Sequence, residues 1–340
     1  MTSVIRGKGK AVRLSVVVPC FNEEAVIDAL IDRLKPICDA NFHEEYQIIL
    51  VNDGSRDRTW SLITKHADAC SLIIGINLSR NYGHQIALTA GLHAATGDLI
   101  FILDADLQDP PELLPAMINK INEGYDVVYG QRAARAGETF FKRASSALFY
   151  QWLRKMSDVE VPVDTGDFRL MSRRVVDSLN AMPERYRFVR GMVSWIGHRQ
   201  TSIYYERDPR HAGQSHYPIR KMLALAADAI TSFSTLPLRF SSHLGMIFGV
   251  AGLLALSWVA WSFLIGEAVP GWASISALVL ILGSTQLLML GVIGEYLGRM
   301  YMESKRRPLY LIEEIYDHRS NENPVHALDN ILRKKLYAGS

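Results

Sequence analysis

Residues 100–111 read Ile-Phe-Ile-Leu-Asp-Ala-Asp-Leu-Gln-Asp-Pro-Pro, and this short stretch indicates both the fold class and the place of a ligand site. It continues an apolar run over residues 99–103, which is typical of a strand buried on both faces of a parallel sheet. Four polar side chains then follow the run: Asp104, Asp106, Gln108 and Asp109. Because open α/β sheets bind ligands at the carboxyl ends of their strands, these oxygens favour a site for a divalent metal and a diphosphate.

Loop capping is the alternative explanation for this acidic segment. Aspartate commonly caps helices and forms turns, and Pro110 and Pro111 indicate a helix that begins soon afterwards. Capping accounts for one aspartate, but it does not account for three aspartates and a glutamine directly after a buried strand. The metal–diphosphate interpretation is therefore favoured.

The composition limits the classes of function that fit the chain. It has 340 residues, of which 49% are hydrophobic and 21% are charged, and its formal net charge is +2. This near-neutral balance, without an aromatic and basic RNA-binding signature, gives no reason to expect a nucleic-acid partner. Cys20, Cys38 and Cys70 have neither metal-binding nor redox spacing, which indicates a reduced cytosolic setting rather than a disulfide framework.

Other apolar runs of strand length alternate with helical patterns. The predicted strands cover residues 14–18, 46–51, 72–77, 99–103 and 127–129. This alternation predicts a doubly wound α/β fold with a mostly parallel sheet. Since the first, second and fourth of these strands each end in acidic residues, we expect their ends to line one crevice. No Gly-x-Gly-x-x-Gly follows the first strand, which argues against a Rossmann dinucleotide site.

The chain changes character after Arg239. Residues 244–265 and 269–293 contain no Asp, Glu, Lys or Arg, and each run matches the roughly 20 apolar residues that a membrane-spanning helix needs. Basic residues flank the pair on both sides, so the positive-inside rule predicts a two-helix hairpin with both flanks in the cytoplasm. A buried helical hairpin of a soluble protein is the alternative, and apolar residues on every side of these helices weaken it.

Two further stretches, residues 140–156 and 219–238, have helical patterns with apolar and basic side chains. A surface helix packed on the core is one interpretation of each. Beside a membrane anchor, a helix lying in the plane of the membrane interface is the other.

Several short motifs stand in order along the chain. They read Pro-Cys-Phe-Asn-Glu-Glu at 19–24, Asn-Asp-Gly-Ser at 52–55, Ser-Arg-Asn-Tyr-Gly at 79–83, Asp-Ala-Asp-Leu-Gln-Asp at 104–109, Gly-Asp-Phe-Arg-Leu-Met at 166–171 and Gly-Glu-Tyr-Leu-Gly-Arg at 294–299. With these motifs the chain resembles the family 2 glycosyltransferases that move a sugar from a nucleotide donor to a polyprenyl phosphate. It is most similar to the bactoprenol glucosyltransferases and undecaprenyl-phosphate aminoarabinose transferases, and more distantly to the dolichol-phosphate mannose synthases.

The resemblance implies a GT-A-type fold and a division of the chain into four segments. They are a cytosolic glycosyltransferase domain at 1–218, an interfacial juxtamembrane helix at 219–240, the two-helix transmembrane hairpin at 241–298 and a cytosolic tail at 299–340. The expected location is the bacterial inner membrane, with the catalytic domain and both termini in the cytoplasm.

The resemblance also implies roles for individual residues. Those expected to bind the nucleotide are Pro19, Asn22, Glu24, Asp53, Arg80 and Asp104. Asp106 and Gln108 are expected to hold Mg²⁺ or Mn²⁺, for which oxygen ligands are suited. Helix capping is the alternative role for Asp53, and one residue can serve both purposes.

Three residues are expected to act in catalysis: Asp106, Asp167 and Arg169. Asp167 matches the position of the family's candidate base, and orienting Arg169 through an ion pair is an equal alternative. A phosphate acceptor has a second pKa of about 6 and is largely deprotonated at pH 7, so it needs little help from a base.

Phosphate contacts are expected from four residues: Arg132, Arg207, Arg210 and Ser215. A guanidinium group binds phosphate bidentately, which favours the arginines, although a surface ion pair is the alternative for Arg132. Residues 213–217 read Gly-Gln-Ser-His-Tyr where related proteins usually have Gly-Glu-Ser-Lys-Tyr. The Glu and Lys of the family loop are therefore missing from this chain.

The sequence thus predicts an inverting, metal-dependent transferase. Its expected donor is a UDP-sugar, with glucose as the first candidate, and its expected acceptor is undecaprenyl phosphate, reached at the membrane; relatives also make a homo-oligomer plausible. A processive polysaccharide synthase of the same fold is one alternative, but it would need more membrane helices and a Gln-x-x-Arg-Trp motif. A non-catalytic membrane scaffold is another, but it would be expected to lose the acidic ligands that remain here.

Overall fold

The structure, a computed structural model, describes residues 12–132, 165–206, 236–265 and 271–318. These residues form two compact units. The first unit comprises residues 12–132, 165–206 and 308–318, and the second comprises residues 236–265 and 271–307. The helix predicted at 140–156 and almost all of the one predicted at 219–238 lie outside the described residues.

The first unit contains eight strands and six helices. The strands are β1 (Leu14–Cys20), β2 (Tyr46–Asn52), β3 (Ile73–Leu78), β4 (Leu99–Ile102), β5 (Val127–Arg132), β6 (Thr165–Ser172), β7 (Gln200–Tyr205) and β8 (Ile312–Tyr316). The helices are α1 (Ile27–Phe42), α2 (Thr59–Ala69), α3 (His84–Ala94), α4 (Leu114–Asn122), α5 (Arg173–Ala181) and α6 (Val189–Ile196), with a 3₁₀ turn at Pro111–Leu113 before α4.

The strands form one sheet in the order β7-β5-β6-β4-β1-β2-β3-β8. Pairing is parallel for β1 with β2, β1 with β4, β2 with β3 and β5 with β7, whereas β6 and β8 run antiparallel to their neighbours. The predicted α/β fold with a mostly parallel sheet is therefore confirmed. The chain moves outward from β1 to β3 and then returns to place β4 on the other side of β1. In such sheets ligands bind where the strand order reverses, which here is between β1 and β4.

Helices cover both faces of the sheet because β1 is apolar on both faces. Val16 and Val18 join α1 in the main hydrophobic core. Val17 faces the other way, towards α3, where a Cβ added to Gly91 would lie 2.3 Å from Val17 Cγ1. The absence of a side chain at Gly91 thus lets α3 approach the sheet closely, which is the arrangement of a doubly wound fold.

A buried hydroxyl fixes the start of β4 against β1. Ser15 Oγ accepts hydrogen bonds from Gln47 Nε2 (2.9 Å), Thr96 N (3.2 Å) and Gly97 N (2.8 Å). Gly97 lies so close to β1 that an added Cβ would be 2.7 Å from the backbone atoms Leu14 C and Ser15 N. This contact sets the position of β4, and therefore of the acidic segment at its other end.

Two long apolar helices make up the second unit: α7 (Leu236–Leu264) and α8 (Trp272–Ser304). The helices touch where Gly245 faces the Met289 side chain. Many of their apolar side chains are exposed, and Leu264 reaches 78%. Among the described residues, one helical segment, Ile281–Ser304, is long and apolar enough to cross a membrane, and His243–Leu254 is a shorter apolar helix.

We predict that Ser15→Ala lowers the free energy of unfolding by about 2–3 kcal/mol, because three donors lose their acceptor and two of them are backbone N–H groups. Urea unfolding of the detergent-purified chain, followed by circular dichroism, measures the change. Ser61→Ala is the matched control, since that hydroxyl is exposed and donates only to Arg58 O. Equal effects of the two substitutions would contradict the role of Ser15.

Candidate active site

Hydrogen bonds from backbone N–H groups to side chains join the loop after β1 to the loop after β2. Three consecutive N–H groups of the first loop donate to side chains of the second: Asn22 N to Ser55 Oγ (2.9 Å), Glu23 N to Thr59 Oγ1 (2.8 Å) and Glu24 N to Asp57 Oδ2 (3.2 Å). Asn22 has φ of 56°, a left-handed conformation that Asn tolerates better than most residues. The loop is thus shaped by its neighbour as well as by its own sequence.

The predicted nucleotide ligands Asn22 and Glu24 also hold this junction with their side chains. Asn22 Oδ1 accepts Arg56 N at 2.9 Å, and Glu24 Oε2 accepts Arg58 N at 3.1 Å. Pro19, another predicted ligand, is buried at the end of β1. All three residues therefore lie at the carboxyl edge of β1, as the sequence predicted.

Asp53 fixes the loop that follows β3, residues 79–83. Its carboxylate is almost fully buried and accepts the backbone N–H groups of Tyr82 (2.7 Å) and Gly83 (2.9 Å). Burial raises the pKa of Asp53, and the two backbone hydrogen bonds act in the opposite direction. The next residue, Gly54, has φ of 64°, and an added Cβ would lie 2.5 Å from the Arg80–Asn81 peptide. Only glycine fits this contact.

Arg80, also predicted to bind nucleotide, is exposed on this loop. Its guanidinium carbon lies 4.1 Å from the centre of the Tyr82 ring, a cation–π contact that keeps the charge at the edge of the sheet. The loop therefore presents one positive charge beside the buried carboxylate of Asp53.

The acidic segment after β4 is held in an unusual backbone conformation. Leu107 has φ of 58°, which is strained for a branched side chain. Arg33 of α1 donates to Leu107 O at 3.4 Å and pairs with both carboxylate oxygens of Glu112, at 2.6 and 2.9 Å. Asp106 Oδ1 accepts Gln108 N at 3.2 Å. Contacts with α1 thus maintain the strain and orient the segment.

Asp104 is a carboxylate at this edge whose ionised form is disfavoured. Burial raises its pKa to about 6, against the opposing charge of His84 and with help from Asp167, Asp109 and Asp106. Its Oδ1 atom is buried and has no hydrogen-bond partner among the described residues, with His84 Nε2 at 3.5 Å. A cation placed here would lower the energy of the ionised carboxylate.

Asp167, on β6, is surrounded by donors. Its carboxylate accepts Arg190 Nε at 2.9 Å and Gln85 Nε2 at 2.8 Å, and His84 Nε2 lies at 3.1 Å. Although burial would raise it, the charge of Arg190 and the hydrogen bonds from His84 and Arg190 hold the pKa of Asp167 well below its usual range. Burial by itself would lower the pKa of His84, but the hydrogen bond to Asp167 and the charge of Asp104 raise it above its usual value.

The predicted partner of Asp167, Arg169, is farther away than Arg190. Arg169 Nη2 lies 3.9 Å from Asp167 Oδ1 and donates to Gly166 O at 3.1 Å. Burial lowers the pKa of Arg169 to about 10. Beside it, an added Cβ on Gly166 would lie 3.1 Å from Arg132 Nη2, so Arg132 occupies the space that a side chain at 166 would fill.

The structure brings the ends of β1, β2, β4 and β6 together with the loop after β3. His84 connects Asp104 to Asp167, which are far apart in the sequence. Arg207, Arg210 and Ser215 lie outside the described residues.

Three residues that contact Asp167 were assigned no role from the sequence: His84, Gln85 and Arg190. The available signal was the position of the first two just after a strand-end loop.

The donor set is suited to a hard cation that also binds substrate oxygens. Among the described residues, no group of three His, Cys, Asp or Glu side chains could hold a metal alone. Asp106 and Gln108 offer oxygen atoms from one loop, and Asp104 Oδ1 is buried beside them without a hydrogen bond from the described part of the chain. One or two carboxylates completed by phosphate oxygens are the usual Mg²⁺ environment, so the residues fit.

Comparison with known proteins defines the class to which this fold and site belong. Residues 15–179 match the model of glycosyl transferase family 2. The chain is 46% identical over 306 residues to the uncharacterized glycosyltransferase YkcC of Bacillus subtilis, covering 90% of this chain and 94% of that protein. It is 39% identical over 302 residues to the bactoprenol glucosyl transferase of Shigella phage SfV, covering 88% and 98%. This chain belongs to glycosyltransferase family 2, as its motifs predicted.

We predict that Arg190→Met lowers the free energy of unfolding by about 2 kcal/mol at pH 7. Breaking a fully buried ion pair costs about 3–5 kcal/mol, and the loss is smaller here because the Arg190 side chain is 34% exposed. Asp167 has a depressed pKa, so the pair stabilises the fold above the unfolded-state pKa of about 3.9, and this contribution is lost as the pH falls through the folded value.

Unfolding at pH 7 and at about pH 2.5 measures this effect, which should be smaller at the lower pH because that pH lies below the unfolded-state pKa. A double-mutant cycle with Asp167→Asn is the control, because the second change removes the charge that Arg190→Met leaves buried. If the double variant loses as much free energy of unfolding as the two single variants lose together, the result would contradict the pairing.

Proposed function

We propose that this family 2 glycosyltransferase transfers a sugar from a nucleotide-sugar donor to a polyprenyl phosphate at the membrane. The observation that carries the proposal is the incompletely compensated carboxylate edge at β1 and β4, where Asp104 lacks a hydrogen bond on Oδ1 from the described residues. Such an edge suits a cation and a diphosphate. The similarity to a bactoprenol glucosyl transferase supports a lipid-phosphate acceptor.

The donor is proposed to be a UDP-sugar, with glucose as the first candidate. Its nucleotide would lie along the edge formed by the loops after β1, β2 and β3. The proposed contacts come from Pro19, Asn22, Glu24, Asp53, Arg80 and Asp104. Asp53 and Glu24 already accept backbone hydrogen bonds, so each of them would both hold the loops in place and contact the nucleotide.

The diphosphate is proposed to lie at the acidic segment and the ends of β5 and β6. Asp106 and Gln108 would hold Mg²⁺ or Mn²⁺, which when bound neutralises charge developing on the leaving diphosphate. Arg132, together with Arg207, Arg210 and Ser215, would contact the phosphates of donor and acceptor. Arg169, buried next to Gly166 O, adds a positive charge beside Arg132.

Asp167 is proposed to orient Arg190 and Arg169 rather than to accept a proton. Three side chains already surround its carboxylate within hydrogen-bond distance, and its pKa is held well below the usual range by Arg190 and His84 against the effect of burial. Because the acceptor phosphate is largely deprotonated at pH 7, direct attack on the sugar carbon with inversion needs positioning more than a base.

Membrane association is proposed to come from the second unit. The apolar segment Ile281–Ser304 supports one span, and we propose the second within the hairpin at 241–298. In this arrangement residues 1–240 and the tail after Ser304 lie on the cytoplasmic side. A polyprenyl chain remains in the bilayer, so its phosphate is reached from the interface.

The direct test uses the purified full-length chain in liposomes with undecaprenyl phosphate, Mg²⁺ or Mn²⁺ and a panel of UDP-sugars plus GDP-mannose. Mass spectrometry of the lipid fraction should find one lipid-linked monosaccharide, and its mass names the sugar. Release of nucleotide without a sugar-lipid would overturn the acceptor and favour a polysaccharide synthase. Binding of nucleotide without any turnover across the panel would favour a non-catalytic scaffold.

We predict that Asp106→Asn reduces transfer at least about 100-fold, since it removes a charged ligand from the diphosphate-binding side. Initial rates over a range of Mg²⁺ concentrations measure the loss. Asp98→Asn is the matched control and should keep normal rates, because Asp98 is exposed at the opposite end of β4. Near-normal turnover by Asp106→Asn would remove this residue from the proposed metal site.

A further inference from the structure

The chain returns to the first unit after the apolar helices and adds strand β8 to the sheet. Residues 305–309 join the end of α8 to a stretch that we call the C-terminal segment, residues 310–316. This segment pairs antiparallel with β3, from Leu78 opposite Ile312 to Gly75 opposite Tyr316. Ile315 is 3% exposed, so the strand is packed and not a loose edge.

A bulge in β8 directs one side chain towards the carboxyl end of β3. Asn77 pairs with Glu314 and Leu78 with Ile312, so Glu313 is the extra residue of the bulged strand. Bulges of this kind re-aim side chains and are frequent beside active sites. Glu313 Oε2 accepts a hydrogen bond of 3.2 Å from Asn77 Nδ2.

That hydrogen bond begins a continuous polar connection across the strand ends. Asn77 Oδ1 accepts Asn52 Nδ2 at 2.7 Å, and Asn52 Oδ1 accepts Ser55 N at 3.3 Å. Ser55 Oγ in turn accepts Asn22 N at 2.9 Å. Glu313 is thus linked through the ends of β3 and β2 to the loop after β1.

The C-terminal segment also contacts the start of the loop at 79–83 and the helix that follows this loop. Leu311 O accepts the N–H of Ser79, the first residue of that loop, at 3.0 Å. Tyr310 OH forms a buried hydrogen bond of 2.9 Å with His93 Nδ1, near the C-terminal end of helix α3, and α3 begins directly after the loop. The loop itself carries the two backbone N–H groups that bind Asp53.

We propose that the C-terminal segment positions the nucleotide end of the donor site, with Tyr310 and Glu313 as its positioning residues. The inference rests on the proposed function, since it takes the loops after β1, β2 and β3 as the nucleotide edge. The inference adds that the affinity for the nucleotide depends on residues that follow the apolar helices in the chain. A chain that ends before residue 310 would lack this support.

The test measures UDP binding by calorimetry and amide hydrogen exchange on the full-length, detergent-purified chain with Mg²⁺. Tyr310→Phe and Glu313→Ala should each weaken UDP binding about three- to fivefold, the change that corresponds to one hydrogen bond. The amides of Tyr82 and Gly83 should exchange faster in both variants. The double variant should bind UDP at least about tenfold more weakly.

Two substitutions on the same strand are matched controls. Tyr316→Phe removes a hydroxyl that donates to Asp68 instead of contacting the loop or α3, and Glu314→Ala removes the neighbouring exposed carboxylate. Both should leave UDP binding within about twofold of the unsubstituted chain. Equal weakening by the controls would assign the effect to general stability of the sheet edge and overturn the inference.

The remaining outcomes separate the two proposals. Unchanged UDP affinity in Tyr310→Phe and Glu313→Ala, together with normal UDP binding by the unsubstituted chain, would overturn the positioning role alone. Failure of the unsubstituted chain to bind UDP or any other nucleotide of the donor panel would overturn the proposed function. Unchanged exchange at Tyr82 and Gly83 in both variants would overturn the effect of the Tyr310 and Glu313 side chains on the loop, whatever the nucleotide result.

Discussion

The parallel pairing of β1 between β2 and β4 is the constraint on which the site depends. Cys20 lies opposite Asn52, and Val17 lies opposite Ile102, so the three strands end at one edge of the sheet. Their following loops therefore leave the sheet side by side. A different register, or an antiparallel β4, would separate Asp53 from the acidic segment after β4. Close packing on both faces of these strands enforces the register, because a one-residue slip would exchange the side chains that pack against α1 with those that pack against α3.

Gathering carboxylates at one edge has an electrostatic cost that the fold offsets only in part. Asp53 is compensated by two backbone N–H groups, and Asp167 by Arg190, Gln85 and His84. Asp104 is left with a pKa raised to about 6, mainly by burial, against the opposing charge of His84. This uneven compensation leaves Asp104 as the carboxylate of the three whose charge the described residues offset least. Such unequal environments for neighbouring carboxylates are characteristic of functional sites.

Many polar residues at this edge form hydrogen bonds that hold the loops and the strand ends in place. Ser55, Asp57 and Thr59 accept the backbone N–H groups of the neighbouring loop, and Asn52 and Asn77 connect the strand ends. Buried or half-buried polar groups need such partners, because leaving one unpaired costs more than a typical hydrogen bond contributes. A family 2 glycosyltransferase thus obtains loops of fixed shape without filling the crevice with apolar side chains.

The sequence by itself determined the first five strands along the chain, the acidic edge after residues 99–103 and the family, because these follow from local apolar runs and contiguous motifs. It did not predict β6, β7 or β8: residues 165–172, 200–205 and 312–316 each contain several polar or charged side chains, so none of them reads as an apolar run. Only the tertiary structure decided that Arg190 is closer than Arg169 to Asp167, and that His84 joins Asp167 to Asp104. Those contacts join residues more than 15 positions apart, and local patterns carry no information about which distant side chains the folded backbone brings within hydrogen-bond distance.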